Sequence, residues 1–247
     1  MTGDQLSGWQ WQGRRDVYRG LPEDEIGKSI PVDEARNWLL SPENQTRIGQ
    51  HLNRYLTSYS GRHFEAFSAL GSGPKITSWD VLAAESLSVS IPPDVVLWIS
   101  KENRERDQLL SSLYESFVLG KQKIWTCHEQ VFADNEDLSK MYKMLKEHKN
   151  MSYVKSSKLL AAKFPEVVPI RDSKVETLLG LSSSERWWLD IRKLFLDDEE
   201  LLANHVDRLP VPPGCGPIAT LRRLDIILWM EAKARNIQTG KAARGNS

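Results

Sequence analysis

The chain has 247 residues, enough for one large domain or two small helical ones, and its 40% apolar residues with nine tryptophans supply a sizeable core, which excludes wholesale disorder. No window approaches eighteen uncharged apolar residues, and Met1-Thr2-Gly3-Asp4 lacks a basic start ahead of an apolar run, so neither a membrane span nor a signal peptide is expected. The formal net charge is zero, which taken alone speaks against a phosphate-rich partner.

Residues 1–29 mix Gly, Gln, Trp and both charges without a period and read as an irregular arm, with Trp9 and Trp11 able to dock on the body. Ser41-Pro42-Glu43 supplies a cap, a first-turn proline and an acid in order, opening a helix that runs to Tyr59 before Gly61 stops it. After the Gly71-Ser72-Gly73-Pro74 turn, Thr77 or Ser78 caps a second helix to about Ser88. Pro92-Pro93 opens a third, with Val95, Val96 and Ile99 at helical spacing, and residues 102–119 make a fourth. Ile124-Trp125 and Val131-Phe132 fit a strand or a short helix equally well.

Asp134-Asn135 precede a helix with Leu138, Met141 and Leu145 on one side and lysines mostly on the other. A short break at Asn150-Met151-Ser152 leads to a second helix that ends near Phe164, because Pro165 disfavours helix at the residue before it. Stretches 173–180, 184–195 and 197–207 carry helical patterns, and Pro210 to Pro217 form a loop. Leu221, Ile226, Leu228 and Trp229 belong to a last amphipathic helix, and 238–247 is a polar tail. The expected fold is therefore mainly α, a multi-helix bundle over 30–237.

Cys127 and Cys215 lie far apart with no Cys-x-x-Cys pattern, so neither a disulfide framework nor a four-thiolate metal site is expected, and a reducing cytoplasm fits. The histidines at 51, 63, 128, 148 and 205 show no ligand spacing, so no metal is expected. The charge, by contrast, is unevenly placed. Between Lys140 and Lys174 nine basic residues stand against three acidic ones, a local charge of +6. Two helices joined by a tight turn bring the second helix's N-terminus to the surface, where unpaired N–H groups and the helix dipole hold a phosphate without sequence preference. Lys149, Lys155 and Lys158 surround that end. The second helix is roughly 18 Å long and the Pro165–Arg171 run can span a similar distance back, so Asp172 can return to the same face.

The stretch from Asn150 to Lys158, continued by Phe164-Pro165-Glu166-Val167-Val168-Pro169-Ile170-Arg171-Asp172, resembles the signature of helix-hairpin-helix DNA glycosylases. In that superfamily a Gly-hydrophobic-Gly hairpin is followed, about twenty residues after its second glycine, by a catalytic aspartate at the head of the next helix. Ser152 to Asp172 has that spacing, with Asn150 and Ser152 standing where the glycines belong. The resemblance implies a hairpin over 137–164, two helical lobes with a cleft between them, double-stranded DNA as partner and no cofactor. It implies Asp172 as the catalytic carboxylate and Lys149, Asn150, Met151, Ser152, Tyr153, Lys155, Ser156 and Lys158 as the DNA-binding residues. It further implies a base pocket drawn from His63, Phe64 and Trp125. Members that also cleave the strand carry a lysine where Val154 stands, which implies a monofunctional hydrolase. A wider set of residues, Tyr59 to Phe64, Ile76-Thr77, Ile91-Pro92-Pro93 and Ser156 to Asp172, is also similar to a prokaryotic family described only as a domain of unknown function.

A carboxylate near the anomeric carbon stabilises the sugar cation that forms when an N-glycosidic bond breaks. The target base is left open among damaged, mismatched and hypermodified bases, the last including those of viral genomes and implying a defence enzyme. Two plainer readings stand beside this one: a noncatalytic hairpin module that grips duplex DNA, and an all-helical protein-interaction domain. Asp172 is also an ordinary helix cap, the lysines an ordinary solvated face, and Trp187, Trp188 and Trp229 ordinary core anchors.

Overall fold

A computed structural model describes residues 21–181, 186–196 and 199–239. Twelve α-helices lie among them, with no strand: α1 (Val32–Leu40), α2 (Gln45–Ser58), α3 (Phe64–Leu70), α4 (Ser78–Ser86), α5 (Pro93–Ser100), α6 (Arg104–Tyr114), α7 (Asp137–Lys146), α8 (Tyr153–Lys163), α9 (Ser173–Leu178), α10 (Trp187–Lys193), α11 (Glu199–Asp207) and α12 (Thr220–Ala234). The mainly α expectation holds, and no helix among the described residues is long and apolar enough to cross a membrane. Trp9, Trp11 and residues 240–247 lie outside the described residues.

Two helices had no counterpart in the sequence reading. The first, α1, follows Pro31 with Asp33 and Glu34 in its first turn and buries Ala35 and Leu39. The second, α3, has seven residues and rises directly from a 3-10 turn at Ser60–His63, too short to display a period. The ambiguous stretch near 131 is a 3-10 turn, Glu129–Phe132.

Two helices organise the core. α8 packs against α3, α4 and α7, whereas α12 packs against α2, α9 and α11. Every residue from Ser156 to Lys163 is buried, the small Ser156, Ser157, Ala161 and Ala162 letting neighbouring helices approach closely. Leu159 and Leu160 are fully enclosed, each worth about 2 kcal/mol of apolar transfer. Two lysines sit inside with them, and a buried ammonium persists only with partners. For Lys163 these are Asp80 Oδ2 at 3.0 Å and the carbonyls of Gly71 and Gly73 at 2.6 and 3.3 Å. Asp80 also accepts from the Thr77 N–H and hydroxyl at the head of α4, at 2.7 and 2.9 Å. A Cβ at Gly71 would stand 2.6 Å from Asp80 Oδ1, so only glycine fits there.

On α12 the fully buried Glu231 takes His51 Nε2 at 2.7 Å, Arg235 Nε at 2.8 Å and Arg47 at 3.4 Å. Both arginines also hold Glu25, at 2.7 and 2.9 Å, which clamps the N-terminal 3-10 turn Glu23–Glu25 to α2 and α12.

Candidate functional site

The connection between α7 and α8 is six residues, 147–152, where a three-residue turn was expected. Within it Asn150 adopts φ +66°, a left-handed conformation that asparagine tolerates and glycine would favour. Ser152 is the N-cap of α8 and accepts from the Lys155 N–H. The N–H groups of Tyr153 and Val154, in the same first turn, have no intrahelical acceptor, as at the head of any α-helix. Met151 is 7% exposed, which places its side chain in the core and away from any direct side-chain contact with a ligand at the surface.

Around the turn, Tyr153 is 50% exposed, with Lys146 Nζ over its ring and the Arg171 guanidinium 5.1 Å from the centroid. The Tyr142 hydroxyl donates to the Tyr153 carbonyl at 2.9 Å, and burial pushes this phenol up despite Arg171 beside it. Lys149 is exposed, while Lys155 is half-buried with its ammonium on the Asn150 carbonyl at 2.9 Å.

Ser156 and Lys158 correct the sequence reading. Both are buried, because the face of α8 that carries them points into the bundle, so neither can touch a phosphate as the fold stands. With Lys163 also inside, two of the nine cations between Lys140 and Lys174 are internal and the other seven keep some exposure.

The run after α8 doubles back along the helix and meets the buried Ser157 and Lys158. A turn at 165–167 buries Val167, Val168 and Ile170, and the Arg171 N–H then donates to Ser157 Oγ on α8 at 3.0 Å. Asp172 is the N-cap of α9, its Oδ1 accepting from the Lys174 N–H at 3.0 Å. Its Oδ2 lies 3.5 Å from Lys158 Nζ, which also donates to the Leu87 carbonyl at 3.0 Å.

Sequence reasoning missed what lies behind this pair. Arg222, on α12, contacts Asp225 Oδ2 one turn on, Glu65 Oε1 at 3.2 Å, the Tyr55 hydroxyl at 2.8 Å and the Gly61 carbonyl at 3.1 Å. Burial pushes the Asp225 carboxyl up to about 6; Arg222 opposes that, Asp172 adds to it, and Lys158 opposes it. Burial likewise raises Glu65, against the pull of Arg222. Side-chain exposure is 18% for Asp172, 14% for Glu65, 10% for Asp225, 6% for Lys158 and 3% for Arg222, so Asp172 is the outermost member. The only hint in the sequence was the three-residue spacing of Arg222 and Asp225 on α12, which a solvated ion pair on a helix surface imitates.

The three base-pocket residues do not gather. Trp125 is buried and stacks on Phe195 with ring centroids 4.7 Å apart, and Phe64 is buried beneath the Arg222 guanidinium. Only His63 is exposed, next to Arg62 and Phe67. Both tryptophan and phenylalanine are core side chains here, which corrects the expectation drawn for them. Trp229 is half-buried, its ring edge-on to Tyr55 and Tyr59 at 5.8 and 5.4 Å. Among the described residues no three His, Cys, Asp or Glu side chains converge to hold a metal.

Fold and site together define a helical protein with a basic, aromatic turn and a half-buried aspartate backed by a buried charge cluster. The chain belongs to the family of unknown function DUF6308, whose profile matches residues 48–232. No curated protein and no solved structure matches it.

Proposed function

We propose that this protein is a DNA glycosylase that grips duplex DNA at the α7–α8 turn and hydrolyses the N-glycosidic bond of a damaged or modified base, leaving an abasic site. The observation that carries the reading is the return of Asp172 to the flank of α8, 20 residues beyond a turn built on left-handed Asn150 and the Ser152 cap. The Lys174 N–H and the Lys158 ammonium hold the carboxylate in one orientation. Its negative charge stabilises the sugar cation as the bond breaks, and the same carboxylate orients the attacking water. Phosphates on either side of an extruded nucleotide meet Lys149, Lys155 and the open N–H groups of the first turn of α8. A hypermodified base of viral DNA as target would make the reaction a defence activity.

The second reading, a noncatalytic DNA-binding module, is favoured by one feature: both oxygens of Asp172 already have partners within the protein. One experiment separates the two. Duplexes carrying damaged, mismatched or hypermodified bases are incubated with the protein and assayed for abasic sites and for binding across a salt series. Base release from any of them supports the glycosylase. Salt-dependent binding without release selects the module, and absence of binding rejects both.

A further inference from the structure

We propose that Tyr153 is a stacking surface for an unpaired nucleobase, in a single strand or extruded from a duplex, with Lys146, Lys149 and Lys155 taking the phosphates beside it. The stacking role rests on the reading of the α7–α8 turn as a DNA-binding surface; it does not require that any base be released.

Tyr153 departs from the rest of its helix. Every residue from Ser156 to Lys163 is buried, whereas Tyr153, at the head of α8, is 50% exposed, more than any other Phe, Tyr or Trp among the described residues. The ring is nonetheless held in place. Its centroid lies 5.9 Å from that of Tyr142, which meets Trp188 edge-on at 5.0 Å, and Trp188 packs on the buried Phe132 at 6.3 Å. The Tyr142 hydroxyl also fixes the Tyr153 carbonyl at 2.9 Å. A ring already backed by a column of aromatic side chains loses little freedom when a second flat ring settles on it.

The surrounding charge decides what that second ring belongs to. Further back on α7, Lys140 and Lys143 pair with Asp137 at 3.5 Å and Asp134 at 3.8 Å. Lys146, Lys149 and Lys155 have no carboxylate within 4 Å among the described residues: Lys146 rests on the Tyr153 ring and Lys155 on the Asn150 carbonyl. The Arg171 guanidinium, 5.1 Å from the Tyr153 centroid, is fixed by Glu176 Oε1 at 2.7 Å. The connection itself adds one exposed acid, Glu147. Three cations free of carboxylates around a flat, half-open ring match a polyanion that carries flat rings of its own. Paired bases are already stacked on their neighbours, so the base that fits here is an unpaired one. The Lys146 ammonium, on a flexible stem, passes from the ring to a phosphate as the base arrives. Arg171 touches Tyr153 and Asp172 follows it in the chain, which brings the stacked nucleotide toward the candidate carboxylate.

The test compares the full chain with Tyr153→Ala and Tyr153→Phe by fluorescence anisotropy across a salt series, with thermal melts as a control on folding. Three labelled probes are used: a single-stranded oligothymidylate of about twelve nucleotides, an abasic oligomer with the same number of phosphates, and a fully paired duplex. Wild type is expected to bind the oligothymidylate about tenfold more tightly than the abasic oligomer, and Tyr153→Phe to keep that preference. Tyr153→Ala erases it, leaving affinity for the abasic oligomer and the paired duplex, and the salt slope, nearly unchanged. Equal wild-type affinity for the oligothymidylate and the abasic oligomer, or a preference that survives Tyr153→Ala, overturns the stacking role and leaves the DNA-binding reading standing. A Tyr153→Ala protein that loses affinity for all three probes alike overturns it too, since the ring then acts on the shape of the turn. Absence of binding to every probe overturns the stacking role together with the DNA-binding reading.

Discussion

Lys158 Nζ lies 3.5 Å from Asp172 Oδ2 and 3.0 Å from the Leu87 carbonyl, so one buried lysine ties the middle of α8 to the head of α9 and the end of α4. The side chain expected on the phosphate-facing surface is a structural cation, and its removal leaves Asp172 without its ion-pair partner. Lys158→Met is expected to cost about 3 kcal/mol in a denaturant melt. Lys149→Ala with Lys155→Ala changes stability by less than about 1 kcal/mol, yet weakens duplex binding and lowers its salt slope by up to about two. The opposite pattern, a stable Lys158 variant with lost binding, would place the phosphate site on Lys158.

How much of this was legible in the sequence depended on whether each signal was local. The boundaries of α4, α5 and α8 follow from Thr77, Pro93, Ser152 and Pro165, whose effects act within one turn. The cap at Asp172 was legible because a cap is also a local signal, whereas its proposed catalytic role came from the resemblance. The inward direction of Lys158 and Lys163 was not legible, since lysine ordinarily reads as surface and only the partners Asp172 and Asp80, brought up by the fold, reverse that. Arg222 and Asp225 were hidden for the same reason. The base pocket failed because burial of Trp125 and Phe64 depends on Phe195 and Arg222, distant in the chain.

An amine within reach of the sugar would give strand cleavage through an imine. Valine at 154 offers none, and the Lys158 ammonium is held by the Leu87 carbonyl and Asp172. Borohydride is therefore expected to trap no covalent complex with DNA. A trapped adduct mapped by mass spectrometry to Lys158 would make the enzyme a lyase as well as a hydrolase.

Gly61 sits where a Cβ would fall on the Tyr55 hydroxyl and 3.0 Å from Leu87 Cδ2, and its carbonyl accepts from Arg222. Gly61→Ala is expected to lower stability by about 2 kcal/mol by displacing Tyr55 from Arg222. Adding Tyr55→Phe removes the clashing oxygen and recovers part of the loss. A Gly61→Ala protein with an unchanged thermal midpoint would contradict this packing.

Burial pushes the Glu231 carboxyl up, but the His51 hydrogen bond, the charges of His51 and Arg47 and the Arg235 hydrogen bond more than offset it, leaving it below its ordinary 4.5. The unfolded chain then binds more protons than the folded one as pH falls through this range. Stability from this group is full above about pH 4.5 and is lost as pH drops toward the lowered folded value. Thermal melts from pH 6 to about 3 should show that loss in wild type and a flatter profile in Glu231→Gln. Parallel profiles would remove Glu231 from the acid sensitivity.

The central claim rests on the charge of Asp172, and Asp172→Asn tests it most directly, because asparagine keeps the shape and the capping oxygen while removing the charge. Single-turnover release of base, from whichever duplex proves to be a substrate, is compared for the two proteins beside their thermal melts and duplex affinities. The account predicts a rate lower by orders of magnitude, with the melt and duplex binding nearly unchanged. Wild-type release by the asparagine variant would contradict it and leave Asp172 as a helix cap alone.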